Sequence, residues 1–431
     1  MRQASANHIP PDQIEELRQY AAAHPEQFEY PHPAKGVYEI ANNQAEKLFW
    51  AYKCWIQVIE RAEKGSGLEK YFSAQNLEFP LPEGFSPERR VSVSAGGDLM
   101  AVDCITDGYT PHLFDDIHDF YMDADLTMAN LESTVYREAP VGRNSIPNMP
   151  AKMNTSEAML DKFCESGKGI NFFSIANNHC WDYGEAGLLA TLDALNRRGC
   201  GHCGANAAPA DQGKATIIEK DGIRFGMLSF TCDLNGNSCD KTWRVNEVRI
   251  NDLPCDLSLV ARQIAHAQAE KADLVIVHAH WGWEFELYPH TNIVEAAHVM
   301  AEMGADVIVG THPHVAQPME RYEYERDGEK RQCLIIYSLG DFVSYHPMTA
   351  DSRLTYVVRF DAAKGMAAGR EMSVITNLRM LPVYILAAKD QDDNFDVRLL
   401  RFANVLNDRP DSNGQYRFPL TKAERDDLPR L

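Results

Sequence analysis

Short apolar runs alternate with amphipathic stretches through the middle of the chain, and this alternation predicts an α/β domain. The β-rich runs lie at 91–96, 126–131, 170–176, 223–230, 273–279, 305–309 and 333–338. Patterns with helical spacing fall between several of them, at 156–166, 183–198, 257–271 and 292–303. In such folds ligand sites gather where strands end and loops begin, so the strand ends are the places to look for chemistry.

The two ends of the chain have a different pattern. Ahead of the domain, helix-like stretches are separated by prolines, and between residues 42 and 64 apolar side chains recur at helical spacing. These side chains are Leu48, Tyr52, Trp55, Ile56 and Ile59. They predict a helix with one core-facing side. After residue 354 strand-like runs follow one another without helices, and we interpret them as a second sheet packed on the first.

We therefore expect three parts in the chain. These are a helical N-terminal extension over 1–88, an α/β domain over 89–405 and a polar C-terminal tail over 406–431. The tail is rich in turn residues and is expected to lie at the surface.

Composition limits the class of protein. With 431 residues and 45% hydrophobic content the chain can bury a sizeable core. No apolar run approaches the roughly 20 residues that cross a bilayer, and the first residues lack the order of a secretory signal. We therefore expect a cytoplasmic protein without a membrane anchor. The net charge of −20 argues against nucleic acid as a partner, because phosphate backbones bind clustered Lys and Arg.

Ten cysteines at irregular spacing favour reduced thiols over a disulfide scaffold. The nearest approach to a motif is Cys200-Gly-His-Cys203, which has the spacing of a dithiol or of half a zinc site. It lacks the second pair of a tetrahedral site, so a structural role is favoured. The chain also lacks a dinucleotide-binding glycine motif, a P-loop and a nucleophile elbow, which leaves those three chemistries without support.

The first candidate site residue is Asp98, which ends the strand pattern Ser94-Ala-Gly-Gly-Asp98. The two glycines allow close backbone approach, and the carboxylate follows at the strand tip. A hard cation such as Mn²⁺ or Mg²⁺ prefers an oxygen ligand placed in this way. A strand-end Asp also serves as a turn or helix cap, so this pattern alone leaves both roles open.

Asn130 and Glu132 end the next β-rich run. They are two positions apart, so on an extended backbone both side chains face the same way and can enter one site. A solvent-facing strand edge would explain them equally well.

The most informative stretch runs from Phe173 to Gly184, where a wholly apolar strand passes abruptly into polar residues. The polar side chains are Asn177, Asn178, His179 and Asp182. Asn is a reasonable ligand for a hard cation, while His179 can protonate a leaving group with Asp182 orienting its ring. An Asn-rich turn that caps the following helix is the alternative.

Two His-x-His pairs each follow an apolar run, His278 with His280 and His312 with His314. Within the first pair, strand alternation places both side chains on one face. One ligand plus one core histidine explains this pair as well as two ligands do, and His280 is favoured because it lies nearer the strand end. Two such pairs in one domain, each after a helix, indicate a metal site.

Together these motifs place two carboxylates, Asn side chains and up to four histidines at successive strand ends. Imidazole with oxygen ligands suits Mn²⁺, Fe or Zn²⁺, and suits Mg²⁺ less where histidine is abundant. The set is compatible with one or two ions. A metal pair bridged by a shared carboxylate would activate water and bind a phosphoryl oxygen.

At these motifs the chain resembles the bacterial capsule-synthesis CapA family, the poly-γ-glutamate synthesis group of the calcineurin-like metallophosphoesterase superfamily. The resemblance covers residues 91–346 and leaves residues 1–85 out. It consists of GGDLM at 96–100, ANLES at 129–133, NNHCWDYG at 177–184, HWGWEFELYP at 280–289, GTHPHVAQPME at 310–320 and YSLGDF at 337–342. It implies a four-layer α/β/β/α sandwich with the metal site at one edge of the paired sheets.

The resemblance also implies roles by position. Asp98 stands where the superfamily has its first aspartate ligand, and Glu132 where it has the bridging carboxylate. Asn178 and His179 stand where it has its Asn ligand and its general-acid histidine. The remaining ligands would be His280, His312 and His314.

The chain departs from the family pattern at specific positions. The superfamily's Asp-x-His reads Asp98-Leu99-Met100, so the ligand set has one histidine fewer. Cys180 follows His179 where an acid is usual, which leaves Asp182 to supply the orienting charge. Typical members are anchored to a membrane or exported, and this sequence shows no signal for either.

The leading hypothesis is a metal-dependent hydrolase of a phosphoester, or of an amide, acting through metal-activated water on a small-molecule or polymer substrate. Side chains expected to line the substrate pocket are Asn130, Trp281 and Glu284, with Arg143 or Arg353 as a clamp for phosphate or carboxylate. The alternative is a non-hydrolytic accessory or amide-forming protein of polymer or peptide biosynthesis that uses the same cleft. The oligomeric state is left open.

Overall fold

Two β-sheets face each other in the computed structural model of the chain. The structure describes residues 11–35, 43–100, 105–145, 150–326, 328–344, 346, 349–389 and 395–430. Strands and helices alternate through most of the chain, so the predicted α/β class is confirmed.

The elements are numbered in chain order. The strands are β1 (Ser86–Leu99), β2 (Leu126–Leu131), β3 (Gly142–Asn144), β4 (Lys152–Asn154), β5 (Phe172–Ser174), β6 (Gly201–Cys203), β7 (Thr216–Lys220), β8 (Ile223–Thr231), β9 (Leu274–His280), β10 (Val307–Thr311), β11 (Met319–Arg326), β12 (Glu329–Ile336), β13 (Asp341–Val343), β14 (Leu354–Ala367), β15 (Arg370–Lys389) and β16 (Phe395–Arg401). The helices are α1 (Pro11–Ala23), α2 (Gln44–Trp55), α3 (Leu68–Ser73), α4 (His118–Tyr121), α5 (Glu157–Cys164), α6 (Gly184–Arg197), α7 (Ser258–Ala269), α8 (Thr291–Met303), α9 (Phe402–Leu406) and α10 (Lys422–Asp427). Every strand and helix predicted between residues 91 and 338 is present, with ends that differ by a few residues.

The first sheet has the strand order β16-β15-β14-β1-β2-β5-β6, with the short β13 beside β1. The second has the order β11-β12-β10-β9-β8-β7, and β3 and β4 form a separate two-stranded ribbon. The pairs β1–β2, β2–β5, β8–β9 and β9–β10 are all parallel. The carboxyl ends of neighbouring parallel strands therefore lie at the same edge of each sheet.

Apolar side chains fill the space between the sheets and the space under the helices. The core between the sheets includes Val93 of β1 and Ile276 of β9. Helices α5 and α6 pack on the outer face of the first sheet, and α7 and α8 on the outer face of the second. On β9, Val275 and Val277 turn to the helices while Ile276 turns to the other sheet. Such a strand, buried on both faces, is a continuous apolar run in the sequence.

The strands after residue 354 do not form the second sheet that their pattern predicts. β14 pairs antiparallel with β1, where Val93 lies opposite Phe360, and β15 and β16 continue the same sheet. The second sheet is built from β7 to β12 instead. Apolar alternation identifies a strand but not the strand beside it, because the pairing partner is distant in sequence.

The stretch 406–431, expected as a polar surface tail, buries apolar side chains in its described part. Phe418, Leu420 and Leu428 pack against Tyr384 of β15. This stretch therefore adds a small core to the outer strands of the first sheet.

Helix α2 is shorter than the helix predicted between residues 42 and 64. Residue 42 itself lies outside the described residues. The helix begins after its cap Asn43 and ends at Trp55. Its buried side chains are Phe49 and Lys53 rather than a wholly apolar stripe.

A buried ion pair joins α2 to the segment between β9 and α8. Lys53 Nζ lies 2.5 Å from Glu286 Oε1, and Glu286 Oε2 lies 2.7 Å from His290 Nε2. None of these side chains is more than 5% exposed. Burial opposes ionisation of Glu286, but Lys53 and His290 outweigh it and lower its pKa to about 2.

The cysteines of the Cys200-Gly-His-Cys203 motif point to different cores. Cys200 Sγ lies 3.3 Å from Cys164 Sγ on the outer side of the first sheet, whereas Cys203 belongs to the core between the sheets. The two ends of the motif do not face each other, so it is neither a dithiol pair nor half a metal site. The described cysteines are free thiols.

We predict that Lys53→Met destabilises the fold in a pH-dependent way. At pH 7 the free energy of unfolding should fall by about 3 kcal/mol, since breaking a buried ion pair leaves a charge without its partner. Because the pKa of Glu286 is lowered in the folded state, its contribution is present above about pH 4.5 and is lost as the pH falls toward 2. The difference between wild type and variant, measured by urea unfolding, should shrink over that range.

Lys47→Met, on the exposed side of the same helix, is the control and should change the free energy of unfolding by less than about 0.5 kcal/mol. A difference for Lys53→Met that stays constant between pH 4.5 and pH 2 would contradict the ionic explanation.

Candidate metal centre

Acidic and imidazole side chains from separate strand ends converge at one edge of the two sheets. They form overlapping groups of three whose ligand-type atoms all lie within 4.8 Å of one another. The groups are Asp98, Glu132 and His314; Glu132, His280 and His312; and Glu284, His312 and His314. Glu132, His312 and His314 each belong to two groups, so the residues form one continuous cluster.

Asp98 reaches the cluster because β1 runs very close to the segment that precedes β13. A Cβ on Gly97 would lie 1.9 Å from the Gly340 carbonyl oxygen, so only glycine fits there. Asp98 Oδ1 accepts a 2.7 Å hydrogen bond from Asn130 Nδ2, and Oδ2 accepts one of 3.2 Å from the His312 amide. The close backbone approach predicted from the two glycines is therefore present.

Glu132 lies at the centre of the cluster. Its side chain is completely buried, 3.6 Å from His280 Nε2 and 3.9 Å from His314 Nε2. Neither of its carboxylate oxygens has a hydrogen-bond partner among the described residues. Burial and the nearby charge of Asp98 raise the pKa of Glu132 well above its ordinary value, which is the expected response of a carboxyl group packed against another.

The His312-Pro313-His314 turn has an unusual backbone. His312 has φ +100° and His314 has φ +57°, both in the left-handed region that side chains other than glycine rarely adopt. Neither ring nitrogen of His312 has a partner in the part of the chain that the structure describes. Strained backbone of this kind clusters at functional sites, where it directs side chains that a relaxed turn would not.

His280 ends β9 and turns into the space between the sheets. Its Nδ1 lies 3.1 Å from Thr311 Oγ1, and its Nε2 lies 3.2 Å from Asn178 Oδ1. Burial, reinforced by His312, lowers the pKa of His280 well below its usual range, so the neutral imidazole that binds metals is favoured.

His278 stays a core residue, as one of the two readings of this pair expects. Its ring stacks on Phe172 at 6.3 Å, and it belongs to none of the groups of described residues that could hold a metal; burial lowers its pKa to about 4. The choice of His280 over His278 rests on the strand end, and the structure brings only His280 to the cluster.

His314 is held by a short chain of polar side chains. Its Nδ1 lies 3.0 Å from Asp341 Oδ1, and Asp341 Oδ2 lies 2.7 Å from His346 Nδ1. Burial opposes the charged form of His314, but Glu132 and Asp341 outweigh it and raise the pKa of His314 well above its usual value. These hydrogen bonds with Asp341 hold the His314 ring so that its Nε2 faces Glu132.

Beside the cluster, His179 pairs with Asp182. Their Nδ1 and Oδ2 atoms lie 2.7 Å apart, and the same Asp182 oxygen accepts a 2.6 Å hydrogen bond from the Met153 amide. His179 is close enough to contribute to the lowered pKa of His280, in which burial is the largest cause. The pair predicted from the sequence is therefore formed at the rim of the cluster.

The donor set fits a divalent cation. Buried polar atoms in folded proteins nearly always have partners, and the unpaired atoms of Glu132 and His312 face one another across the cluster. Carboxylate and imidazole are the ligand types of Mn²⁺, Fe and Zn²⁺. Met100, which stands in place of the histidine that the resemblance leads us to expect, is buried in the outer core of the first sheet.

The residues expected to line the substrate pocket fall in different places. Trp281 is completely buried, and its Nε1 donates a hydrogen bond of 2.8 Å to the Tyr337 carbonyl, because strand alternation turns it away from His280. Asn130 holds Asp98 rather than lining a pocket. Glu284 joins the ligand cluster instead.

The two arginines proposed as clamps also differ. Arg353 Nη1 donates a 2.5 Å hydrogen bond to Glu424 of α10, which assigns it to the C-terminal packing. Arg143 on β3 lies near His346, whose pKa is lowered by burial first and by the Arg143 charge in part. Its Nε is buried and has no hydrogen-bond partner within the described ranges.

Three further residues at the site, Asp341, His346 and Trp50, have no role predicted from the sequence. Asp341 had a usable signal, because it follows an apolar run and a glycine just as Asp98 does. His346 and Trp50 had none, since each contacts the site from a segment without a strand-end motif.

The chain matches a known protein family over most of the region that carries the site. The family model described as bacterial capsule synthesis protein PGA_cap matches residues 92–346, more than half of the chain. The chain belongs to this family. The resemblance to the CapA group inferred from the motifs is thereby confirmed.

Three curated relatives are similar to this chain over part of their length. "Capsule biosynthesis protein CapA" of Bacillus anthracis is 28% identical over 62% of this chain and 63% of its own. "PGA biosynthesis protein CapA" of Bacillus subtilis is 34% identical over 41% of this chain and 43% of its own. A "probable polyglutamine synthesis accessory protein" of Mycobacterium tuberculosis is 26% identical over 49% and 55%. The chain thus spans less than two thirds of each.

In the described part of the PGA_cap chain, every helix is too short or too polar to cross a bilayer.

We predict that adding Mn²⁺ stabilises the metal-free protein and that Glu132→Gln removes this effect. A cation that binds only the folded state adds about 2.7 kcal/mol when its free concentration is a hundredfold above Kd. Without the Glu132 charge two of the three groups lose a carboxylate, and the group with His280 and His312 loses its only one, so the shift in Tm should disappear. Thermal unfolding with and without Mn²⁺ measures both.

Glu320→Gln is the matched control, because Glu320 is another buried carboxylate but has partners in His298 and Tyr337. It should lower Tm while leaving the Mn²⁺-dependent shift intact. A full shift in Glu132→Gln would contradict the assignment of Glu132.

Proposed function

We propose that the chain is a metal-dependent hydrolase of the metallophosphoesterase type, acting on a phosphoester or an amide of a small-molecule or polymer substrate. The observation that carries the proposal is the buried cluster in which Glu132 and His312 lack hydrogen-bond partners among the described residues. Such groups are costly unless a cation compensates them. The two facing sheets with helices outside support a four-layer α/β/β/α sandwich as the fold.

The ligands come from the strand ends. The residues that would hold the cation are Asp98, Glu132, Asn178, His280, His312 and His314. The overlap of the groups around Glu132 supports two ions, drawn from Mn²⁺, Fe and Zn²⁺. When bound, such an ion lowers the pKa of water and offsets negative charge on a phosphoryl or carbonyl oxygen.

His179 transfers the proton in this proposal. Asp182, whose Oδ2 lies 2.7 Å from Nδ1 of His179, fixes the orientation of the imidazole. Nε2 is then the atom that gives a proton to the departing oxygen or nitrogen. The Met153 amide donates a hydrogen bond to Asp182 in turn, so the side chain that orients the proton donor is itself held by the backbone.

Arg143 binds the substrate in this proposal. Its buried Nε has no partner among the described residues, and a guanidinium recognises phosphate or carboxylate through paired N–H groups. In a chain with a net charge of −20, a local cation of this kind is needed to attract an anionic substrate.

A non-hydrolytic accessory role, or amide formation in polymer or peptide biosynthesis, is the second candidate. It is favoured by the names of the relatives, which include two biosynthesis proteins and a synthesis accessory protein. The same cleft would then bind its ligand without cleaving it.

The deciding experiment is an activity panel on protein loaded with Mn²⁺. A phosphomonoester, a phosphodiester and a γ-glutamyl amide are offered to wild type, Asp98→Ala, His280→Ala and His179→Ala. We expect one class to be cleaved. Loss of His179 should lower kcat by roughly 10²- to 10⁴-fold, the usual share of general acid catalysis, with Mn²⁺ content unchanged.

His278→Gln, two positions before His280 on the same strand, is the control and should keep both Mn²⁺ and activity. Protein that purifies without divalent metal and stays inert in Mn²⁺ would end the hydrolase proposal. Protein that binds Mn²⁺ but cleaves no member of the panel would favour the accessory role.

A further inference from the structure

We propose that helix α2 is part of the metal centre, because its Trp50 holds Glu284 in position to bind a cation together with His312 and His314. This inference rests on the proposed metal-dependent function and adds to it a ligand and a positioning residue. Helix α2 precedes residues 92–346, so it comes from the part of the chain that the family model does not match.

The two carboxylate oxygens of Glu284 have different neighbours. Oε2 accepts a hydrogen bond from the indole Nε1 of Trp50. Oε1 faces the cluster, 3.9 Å from His314 Nε2. The side chain is 13% exposed, and its ligand-type atom lies within 4.8 Å of those of both histidines. One oxygen is thus tied to α2 and the other is left for a cation.

Trp50 is suited to this task by its chemistry. An indole is a donor only and does not compete for a metal ion, whereas a hydroxyl or a second imidazole would. Burial disfavours the charged form of Glu284, but His312, His314 and the Trp50 hydrogen bond lower its pKa.

The position of the indole is fixed by packing around it. Its ring lies 6.4 Å from that of Phe285 in an edge-on arrangement, within a small core that includes Val58 and Val315. One turn further along α2, the buried ion pair of Lys53 with Glu286 attaches the same helix to the same segment.

The segment that carries Glu284 lies between the residues that follow α2, around Ile59, and the His312-Pro313-His314 turn. The Phe285 amide donates a 2.8 Å hydrogen bond to the Pro313 carbonyl, and the Ile59 amide donates one of 3.0 Å to the Phe285 carbonyl. Leu287 in turn donates a 2.9 Å hydrogen bond to the Ile59 carbonyl. The N-terminal segment, Glu284 and the His312–His314 turn therefore form one hydrogen-bonded unit.

The test is Mn²⁺ binding to Trp50→Phe, which keeps an aromatic ring in the small core but lacks the N–H donor. Calorimetric titration of the metal-free protein should show roughly a tenfold weaker Kd at the subsite that Glu284 serves, the usual effect of a hydrogen bond to a charged group. The electron paramagnetic resonance spectrum of bound Mn²⁺ should change as well, because one ligand is no longer held.

A double-mutant cycle separates positioning from general packing. Glu284→Gln alone should weaken Mn²⁺ binding by at least as much as Trp50→Phe, and it leaves the packing of α2 in place. In the Glu284→Gln background, Trp50→Phe should then have no further effect on the Kd, because the group that Trp50 positions is already lost.

Tyr52→Phe on the same helix is the matched control and should leave Mn²⁺ binding unchanged. A wild-type Kd in Trp50→Phe, or an equal loss in both backgrounds, would overturn the inference while leaving the metal centre standing. A wild-type protein that binds no Mn²⁺ would instead defeat the proposed function itself.

Discussion

The burial of Glu132 beside Asp98 is the constraint on which the rest of the site depends. Two carboxyl groups in a space closed to water repel one another, and neither oxygen of Glu132 is bonded to a described residue. His280 ends a strand of the other sheet, and His312 and His314 follow its neighbour, so the arrangement exists only at the edge where the strand ends of both facing sheets come together. A cation at the centre of these side chains would compensate the buried negative charge of Asp98 and Glu132.

The backbone around the site is also in unfavourable or tightly restricted conformations. Gly97 lets β1 touch the segment around Gly340, and the two histidines on either side of Pro313 have left-handed conformations. The close approach at Gly97 tolerates no other residue, and the left-handed histidines are unfavourable in energy. Each of these features directs a ligand into the cluster. Stability is given up at this edge and recovered in the apolar cores behind it.

The sequence reveals those parts of the molecule whose signal is local. Strands such as β9 are visible because both of their faces are buried, and Asp98 and His280 are visible because each follows such a strand. Contacts between distant segments leave no local trace. The pairing of β14 with β1, the inward turn of Glu284 and the reach of Trp50 depend on which surfaces meet.

The contact between Trp50 and Glu284 also limits how far knowledge of one family member can be carried to another. The shared region begins at residue 92, yet one carboxylate within it takes its partner from residue 50. A homologous chain with a different leading segment would keep every shared motif and still present Glu284 in another environment. Aligned motifs can therefore be equivalent in two such proteins while the chemistry at this carboxylate is not.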